Sequence, residues 1–480
     1  MLLSRTSSLC VTCKQGIPAE IVEAEGKVLM RKRCPRHGRQ EVLIASDAAW
    51  YHRTLAFGAV LKRPSHVRNE VSTGCPYDCG ACKSHQQSVY LPVIPITSAC
   101  NLDCPICYTI NKNEGAFHMS LEEFAATLEV IRRNDPDMKI INLTGGEPTR
   151  HPQLARIVRL CHEAGIHRVT ISTHGLTFLH DEEMLRELAE LRARIVLSFD
   201  SFEDSINKRM IGANVFSAKM RVLDQLAKHD VDTTLIPVLA LGVNDHEVGR
   251  LIELALQRDN IRSLELHTMT FTGQGGTGFD TKARITAPDV LRHVEASTAG
   301  RIRMDDFVPS PCAHPLCYQT CYLLRTDAGN FVPFARFMSK ESIRELLTDN
   351  LYIEPGEKME RVLQGVIGEL WALEDSATAQ EILPTLKNLI QRLFPSRPLP
   401  YARQQVMAER ASKAIYLHSH MDEGNFDTDR IRQCCVGVPS ADGGNIPTCS
   451  YNILYRARDA RFSAVPLQPL SEFAGGRKDW

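Results

Sequence analysis

Cys100, Cys104 and Cys107 fall in the run Ser98-Ala-Cys-Asn-Leu-Asp-Cys-Pro-Ile-Cys-Tyr108, directly after an apolar, strand-like segment. Iron–sulfur clusters are normally held by four cysteines. Three thiolates on one short loop therefore predict a four-iron cluster with one iron left open to a ligand, and that iron is where chemistry would occur. The competing reading is a structural zinc site. Such sites close with four ligands, usually in paired Cys-x-x-Cys knuckles, and this triplet does not supply them.

Other metal-binding side chains occur at comparable spacings. Cys10-x-x-Cys13 and Cys34-x-x-His37, with 20 residues between the two halves, offer the ligand types of a tetrahedral zinc or a rubredoxin-like iron site. Zinc would be purely structural there; iron would add an electron-transfer step. Cys75, Cys79 and Cys82 form a further triplet, and Cys312, Cys317 and Cys321 form another. Two auxiliary four-iron clusters need eight thiolates, which the two triplets and two of Cys434, Cys435 and Cys449 would provide. Cys161, on a helix face with Leu154 and Val158, reads as a buried, unligated thiol.

The chain has 480 residues, 43% hydrophobic and 24% charged, as expected of a globular protein with two to four folding units. A formal net charge of -1 steers it toward neither nucleic acid nor an anionic membrane. Lys32 with Arg31, Arg33, Arg36 and Arg39 makes one locally basic patch, read as a solvated face; a zinc-ribbon nucleic-acid binder is the competing reading. The 16 cysteines fall mostly in tight clusters, which argues for metal rather than disulfides. No apolar run approaches a membrane span, and Met1–Cys10 lacks a secretory signal's apolar core. The expected compartment is the reducing cytoplasm.

Short runs rich in Ile, Val and Leu, at Val89–Ile96, Lys139–Leu143, Arg168–Ser172, Arg194–Phe199, Thr233–Leu241 and Ser263–Thr268, read as parallel strands buried on both faces. Helix signals lie between them, including the capping pattern Ser120-Leu-Glu-Glu123. Strand–helix alternation implies a parallel sheet with right-handed crossovers. The cysteine triplet, Gly145-Gly146-Glu147-Pro148, His174-Gly175, Ser198-x-Asp200 and Asn244-Asp245 all fall at C-terminal strand ends, the face where barrel folds build active sites. The predicted class is α/β, a partial (β/α)6 barrel. The expected division is a metal module over 1–60, an auxiliary cluster segment over 61–88, the barrel core over 89–300 and a mostly helical auxiliary cluster region over 301–480.

The spacing of the first triplet resembles the signature of the radical S-adenosylmethionine (SAM) superfamily. There the methionine end of SAM chelates the open iron, and an electron from the cluster splits SAM to a 5'-deoxyadenosyl radical. The resemblance implies that Gly145, Gly146, Glu147 and Pro148 bind the SAM amino group. It also places Tyr108, Ser172, Ser198 and Asp200 among the SAM or substrate contacts, with Gly273-Gln-Gly-Gly276 approaching the adenine.

The N-terminal Cys-x-x-Cys and Cys-Pro-x-His-Gly module, Cys75-Pro-Tyr-Asp-Cys79-Gly-x-Cys82, Thr270-Phe-Thr-Gly-Gln-Gly, Arg432-Gln-Cys-Cys435 and Ile446-Pro-Thr-Cys449-Ser-Tyr-Asn452 resemble one group within it. This is the tetraether lipid synthase family, also described as dihydro-hydroxymethylpterin dimethyltransferase-like. The resemblance implies a SAM-binding 4Fe-4S cluster, two auxiliary 4Fe-4S clusters and a mononuclear N-terminal metal. The leading expectation is C–C bond formation at inert carbons of a lipid, with peripheral membrane contact. The alternative is methyl or methylene transfer to a dihydropterin, in a compact pocket with convergent polar groups rather than a long apolar tunnel. A non-catalytic Fe-S electron carrier would not need the open-iron triplet followed by Gly-Gly-Glu-Pro. Either enzyme needs an electron donor such as ferredoxin or flavodoxin and no nucleic acid.

Overall fold

The computed structural model describes residues 1–68, 70–80, 82–109, 116–275, 278–372 and 376–462. Four strands, β1 (Leu2–Leu9), β2 (Gly16–Ala24), β3 (Lys27–Cys34) and β4 (Gly38–Ala45), form an antiparallel sheet in sequential order. The basic patch of this module is not simply solvated. Lys32 is buried, and its ammonium donates to Ser8 Oγ and to the carbonyls of Glu423 and Gly424. Arg31 pairs with Glu41 at 2.6 Å.

The expected parallel strands all form: β5 (Leu91–Thr97), β6 (Ile140–Gly145), β7 (Arg168–Thr173), β8 (Arg194–Ser198), β9 (Thr233–Ile236), the two-residue β10 (Val238–Leu239) and β11 (Ile261–Thr268). Each of β5 to β9 pairs in parallel with the next, and β9 with β11. Their outer face is apolar. Ile141, Leu143, Val169, Ile171, Ile195, Leu197, Leu264 and Leu266 pack under the helices in one core. The inner face differs from expectation: Asn142, Thr170, Ser172, Ser198, Thr234, Ser263 and Glu265 line a cavity together with Val93, Ile140, Val196 and Ile236. Alternation along a strand separates these two faces, and the small polar residues on the inner one leave a bore that a ligand can enter.

Ser120 caps helix Leu121–Asn134 by accepting from the Glu123 amide, which fixes the crossover between β5 and β6. Leu154, Ile157, Val158 and Cys161 are the buried face of helix Leu154–Glu163, as the spacing predicts. Cys161 is fully buried and burial pushes its thiol up, so it is a core side chain.

Residues beyond 300 do more than add helices; they complete the sheet. The two-residue β12 (Val308–Pro309) and β14 (Phe331–Pro333) flank β13 (Tyr318–Arg325), and β15 (Ser412–His418) pairs in parallel with β11 and antiparallel with β13. At the other edge β16 (Val436–Pro439) pairs with β5 and with β17 (Asn445–Pro447). Unpaired strand edges carry unsatisfied backbone groups, and these segments cover both. Helices Lys340–Leu347, Glu357–Trp371, Ala377–Leu393 and Tyr401–Arg410 pack on β13 and β15 as a second core.

Phe124 is among the largest fully buried side chains of the barrel core. Phe124→Ala should cost about 3–5 kcal/mol, read as a lower denaturant midpoint for loss of near-ultraviolet circular dichroism.

Candidate active site at the mouth of the barrel

One cavity of about 360 Å³ runs from the barrel bore to the C-terminal strand ends. Cys100, Cys104, Cys107, Tyr108, Gly145, Gly146, Glu147, Ser172, Ser198 and Asp200 all line it. Pro148 does not; it opens the turn Pro148–Arg150 that follows.

Backbone contacts at the end of β6 seat the cysteine loop. The amide of Gly146 donates to Thr97 O and that of Glu147 to Ala99 O, each at 2.7 Å. A side chain at Gly145 would collide with Thr97 O, and one at Gly146 with Ala99 O. On the other side the Gly275 amide donates to Cys107 O at 2.7 Å, and a Cβ at Gly273 would meet the Tyr108 backbone at 2.6 Å. These glycines buttress the loop; Gly276 lies outside the described residues.

The Glu147 carboxylate is engaged by the protein's own donors. One oxygen accepts from the Thr149 amide (3.0 Å), Thr149 Oγ1 (2.8 Å) and Thr173 Oγ1 (2.5 Å). The other accepts from the His174 amide at 2.9 Å and lies 3.2 Å from His174 Nε2. That Nε2 also donates to Asn101 Oδ1 at 2.7 Å, so His174 links the cysteine loop to Glu147. Burial lowers the His174 pKa against the pull of Glu147. The Gly-Gly-Glu-Pro segment thus positions the loop through both its backbone amides and its carboxylate.

Lys219 donates to His174 O and Ser198 O at 2.7 Å and to Ser198 Oγ at 3.0 Å. Burial pushes this ammonium down to about 8, and burial pushes the carboxyl of Asp200 up to about 6. Asn244 is structural, its amide bridging Asp200 O and Val238 O.

Among the described residues lining the cavity, the thiols are Cys100, Cys104 and Cys107. Burial pushes Cys100 and Cys104 up, so iron binding there would expel protons. Three sulfurs facing one space beside a glycine turn fit a four-iron cluster with SAM on its fourth iron.

Cys10, Cys13, Cys34 and His37 bring their ligand atoms within 4.8 Å of one another. Burial opposes ionisation of Cys10, but the amides of Cys13 and Thr12 and the side chain of Gln40 bring its thiol down to about 6. Gln40 Nε2 donates to its sulfur at 3.2 Å.

Cys321 is a correction. It faces the hydrophobic core from β13, apart from Cys312 and Cys317, because strand alternation turns it toward Leu323 and Ile415. Burial holds its thiol protonated. Cys312 and Cys317 cluster instead with Cys435, and Cys434 and Cys449 interact electrostatically with Cys317. Arg430 donates to Cys317 Sγ from two nitrogens at 3.4 Å. Cys75, Cys79 and Cys82 form a separate group, Cys79 interacting with both of the others.

Sequence reasoning missed a further wall of the cavity, made by Glu265, His267, Tyr318, His418 and His420. Polar residues inside the strand Leu264-Glu-Leu-His267 were the available signal.

Comparison with known proteins agrees with this geometry. Residues 94–255 match the radical SAM superfamily, and residues 2–46 match the HMPTM N-terminal zinc ribbon domain. A Methanocaldococcus jannaschii protein named 7,8-dihydro-6-hydroxymethylpterin dimethyltransferase is 30% identical, over 97% of this chain and 96% of its own. The chain belongs to that family of radical SAM enzymes. A probable GTP 3',8-cyclase of Saccharolobus islandicus is 27% identical over 58% of this chain and 92% of its own. The crystal structure of Streptococcus suis SuiB bound to S-adenosylmethionine overlaps 45% of this chain and 48% of that chain, with 18% identity and a TM-score of 0.37.

For this radical SAM enzyme, a 4Fe-4S cluster and SAM are the cofactors of the barrel mouth, and the N-terminal module is a zinc ribbon with a mononuclear metal site. Among the described residues, no helix is long and apolar enough to cross a membrane.

Gly146→Ala should displace the cysteine loop and lower 5'-deoxyadenosine formation by at least tenfold, an effect of the size that small displacements at a reacting centre produce. Chromatography of the nucleoside after reduction checks this. Cys13→Ser should remove one metal ion per chain without changing the sulfide content, read by elemental analysis and sulfide assay.

Proposed function

We propose that this radical SAM enzyme transfers a methyl or methylene unit to a carbon of a dihydropterin-type heterocycle. The observation that carries the reading is a set of hydrogen-bonding groups on the inner face of the barrel, placed among apolar side chains. Asn142, Thr170, Ser172, Ser198, Thr234, Ser263 and Glu265 converge on one compact cavity, as a flat ring rich in nitrogen requires and an alkyl chain does not. The name of the Methanocaldococcus jannaschii relative supports the same substrate class. The lipid-coupling expectation asks for a long apolar tunnel; here polar groups from β6, β7, β8, β9 and β11 interrupt the apolar lining made by Val93, Ile140, Val196, Ile236 and Val238.

When bound, the cluster and SAM supply a radical able to take hydrogen from an inert carbon. The chain's own part is placement. Glu147, His174 and Asn101 hold the cysteine loop, and Leu102, Ile106 and Ile211 form an apolar rim that limits water at the mouth. Glu265 and the histidines beside it offer hydrogen-bonding groups to the heterocycle from the cavity wall.

Eight thiols, Cys75, Cys79, Cys82, Cys312, Cys317, Cys434, Cys435 and Cys449, would serve the two auxiliary 4Fe-4S clusters, four to each. A small electron-transfer protein of the ferredoxin or flavodoxin class would reduce the enzyme.

Anaerobically loaded protein given SAM, dithionite, a 6-hydroxymethyl dihydropterin and a one-carbon donor, either a second equivalent of SAM or a methylene-tetrahydropterin, should form 5'-deoxyadenosine and a pterin heavier by one or two methyl groups, detected by mass spectrometry. An unchanged pterin, together with a coupled high-mass lipid from added archaeal-type or fatty-acyl lipids, would return the lipid reading in its place.

A further inference from the structure

We propose that His267, His418 and His420 form a binding site for one divalent first-row transition-metal ion in the cavity wall, with Glu265 orienting two of the three rings. The sheet itself builds the site. β11 and β15 pair in parallel with His267 directly opposite His418, and Glu265 lies two residues before His267 on the same face. His420 follows His418 by two residues, and the two ring centroids are 4.0 Å apart. One nitrogen from each of the three rings lies within 4.8 Å of the others.

The carboxylate has the position of a metal site's outer partner. Glu265 Oε1 is 3.0 Å from His267 Nε2 and 3.5 Å from His418 Nδ1. A histidine that ligates a metal usually gives its second nitrogen to such a group, which fixes ring orientation and raises basicity. Glu265 engages one nitrogen of each of these two rings, and the second nitrogen of each is assigned to the ion. His267 and His418 are 12% and 14% exposed, so the rings meet the cavity while remaining packed. Tyr108, which follows Cys107, stacks on His420 with centroids 5.5 Å apart, placing the site next to the cysteine loop.

Three imidazoles suit zinc or iron(II), and sites with three protein ligands keep a coordination position open. The open position would face the cavity and take a nitrogen or oxygen of the substrate. On the dihydropterin reading, from which this last step alone follows, that atom belongs to the chelating edge of the ring. Cys449 Sγ is 3.7 Å from His420 Nδ1, so the ion must be distinguished from a cluster iron.

The test is equilibrium dialysis of cluster-loaded, full-length protein against zinc without SAM or substrate, with X-ray absorption at the zinc edge. The Cys13→Ser background removes the N-terminal site. One zinc per chain should bind, with a nitrogen and oxygen shell showing imidazole scattering. Glu265→Gln should weaken it about 10- to 100-fold, and His267→Gln and His418→Gln by more, with iron and sulfide counts unchanged. No bound zinc, a sulfur shell, or equal binding by the His267→Gln/His418→Gln double variant overturns the proposal. Should a variant lose its iron, the spectrum of the Cys13→Ser protein alone decides: imidazole upholds the site and sulfur overturns it. Failure to methylate a pterin would leave the zinc result standing, so the two readings fail separately.

Discussion

Two backbone hydrogen bonds from the end of β6, Gly146 N to Thr97 O and Glu147 N to Ala99 O, fix where the three sulfurs point. They form only because neither glycine has a side chain to hold the strands apart. The Glu147 carboxylate extends the same clamp to β7 through Thr173 and His174, and His174 returns to the loop through Asn101. A short loop carrying three half-buried thiols has little intrinsic order. Its geometry is borrowed from adjacent strands, which places the reactive face where the barrel opens.

Behind that clamp the barrel is not a filled core: its bore is lined by apolar side chains such as Val93, Ile140, Val196 and Ile236 with polar groups between them. Small polar residues keep the bore open, and an ionic group involving Arg168, Arg194, Arg262, Asp232 and Glu409 lies at its far end, with Arg168 stacked 3.8 Å from the Tyr352 ring. Buried ion pairs of this kind contribute little net stability. Arg168 and Tyr352 line the cavity at that end. The region after residue 300 then supplies β15, and with it His418 and His420, to the cavity wall beside Tyr108 of the cysteine loop. The C-terminal region is therefore part of the active cavity.

Much of this was legible in the sequence because metal ligation constrains spacing tightly. The 100–107 triplet, the 10–37 module, the six principal barrel strands and the buried Cys161 follow from residue type and period alone. What the spacing missed depends on strand alternation and on pairing between distant segments. Cys321 sits four residues from Cys317, as a ligand would, yet β13 turns it into the core beside Ile415 of β15. Glu265 and His267 read as ordinary strand positions until β15 is placed alongside them. The inner strand faces looked apolar because the outer Ile, Val and Leu residues dominate each short run, and serine and threonine contribute little to a hydrophobic pattern.

The most direct measurement is electron-nuclear double resonance on the reduced, anaerobically prepared enzyme with SAM labelled in its methionine amino nitrogen and carboxylate. Hyperfine coupling of both labels to a cluster lost in Cys104→Ala is the expected result. An unperturbed cluster spectrum on adding SAM, or a fourth protein ligand on that cluster, would contradict the open-iron site at the barrel mouth.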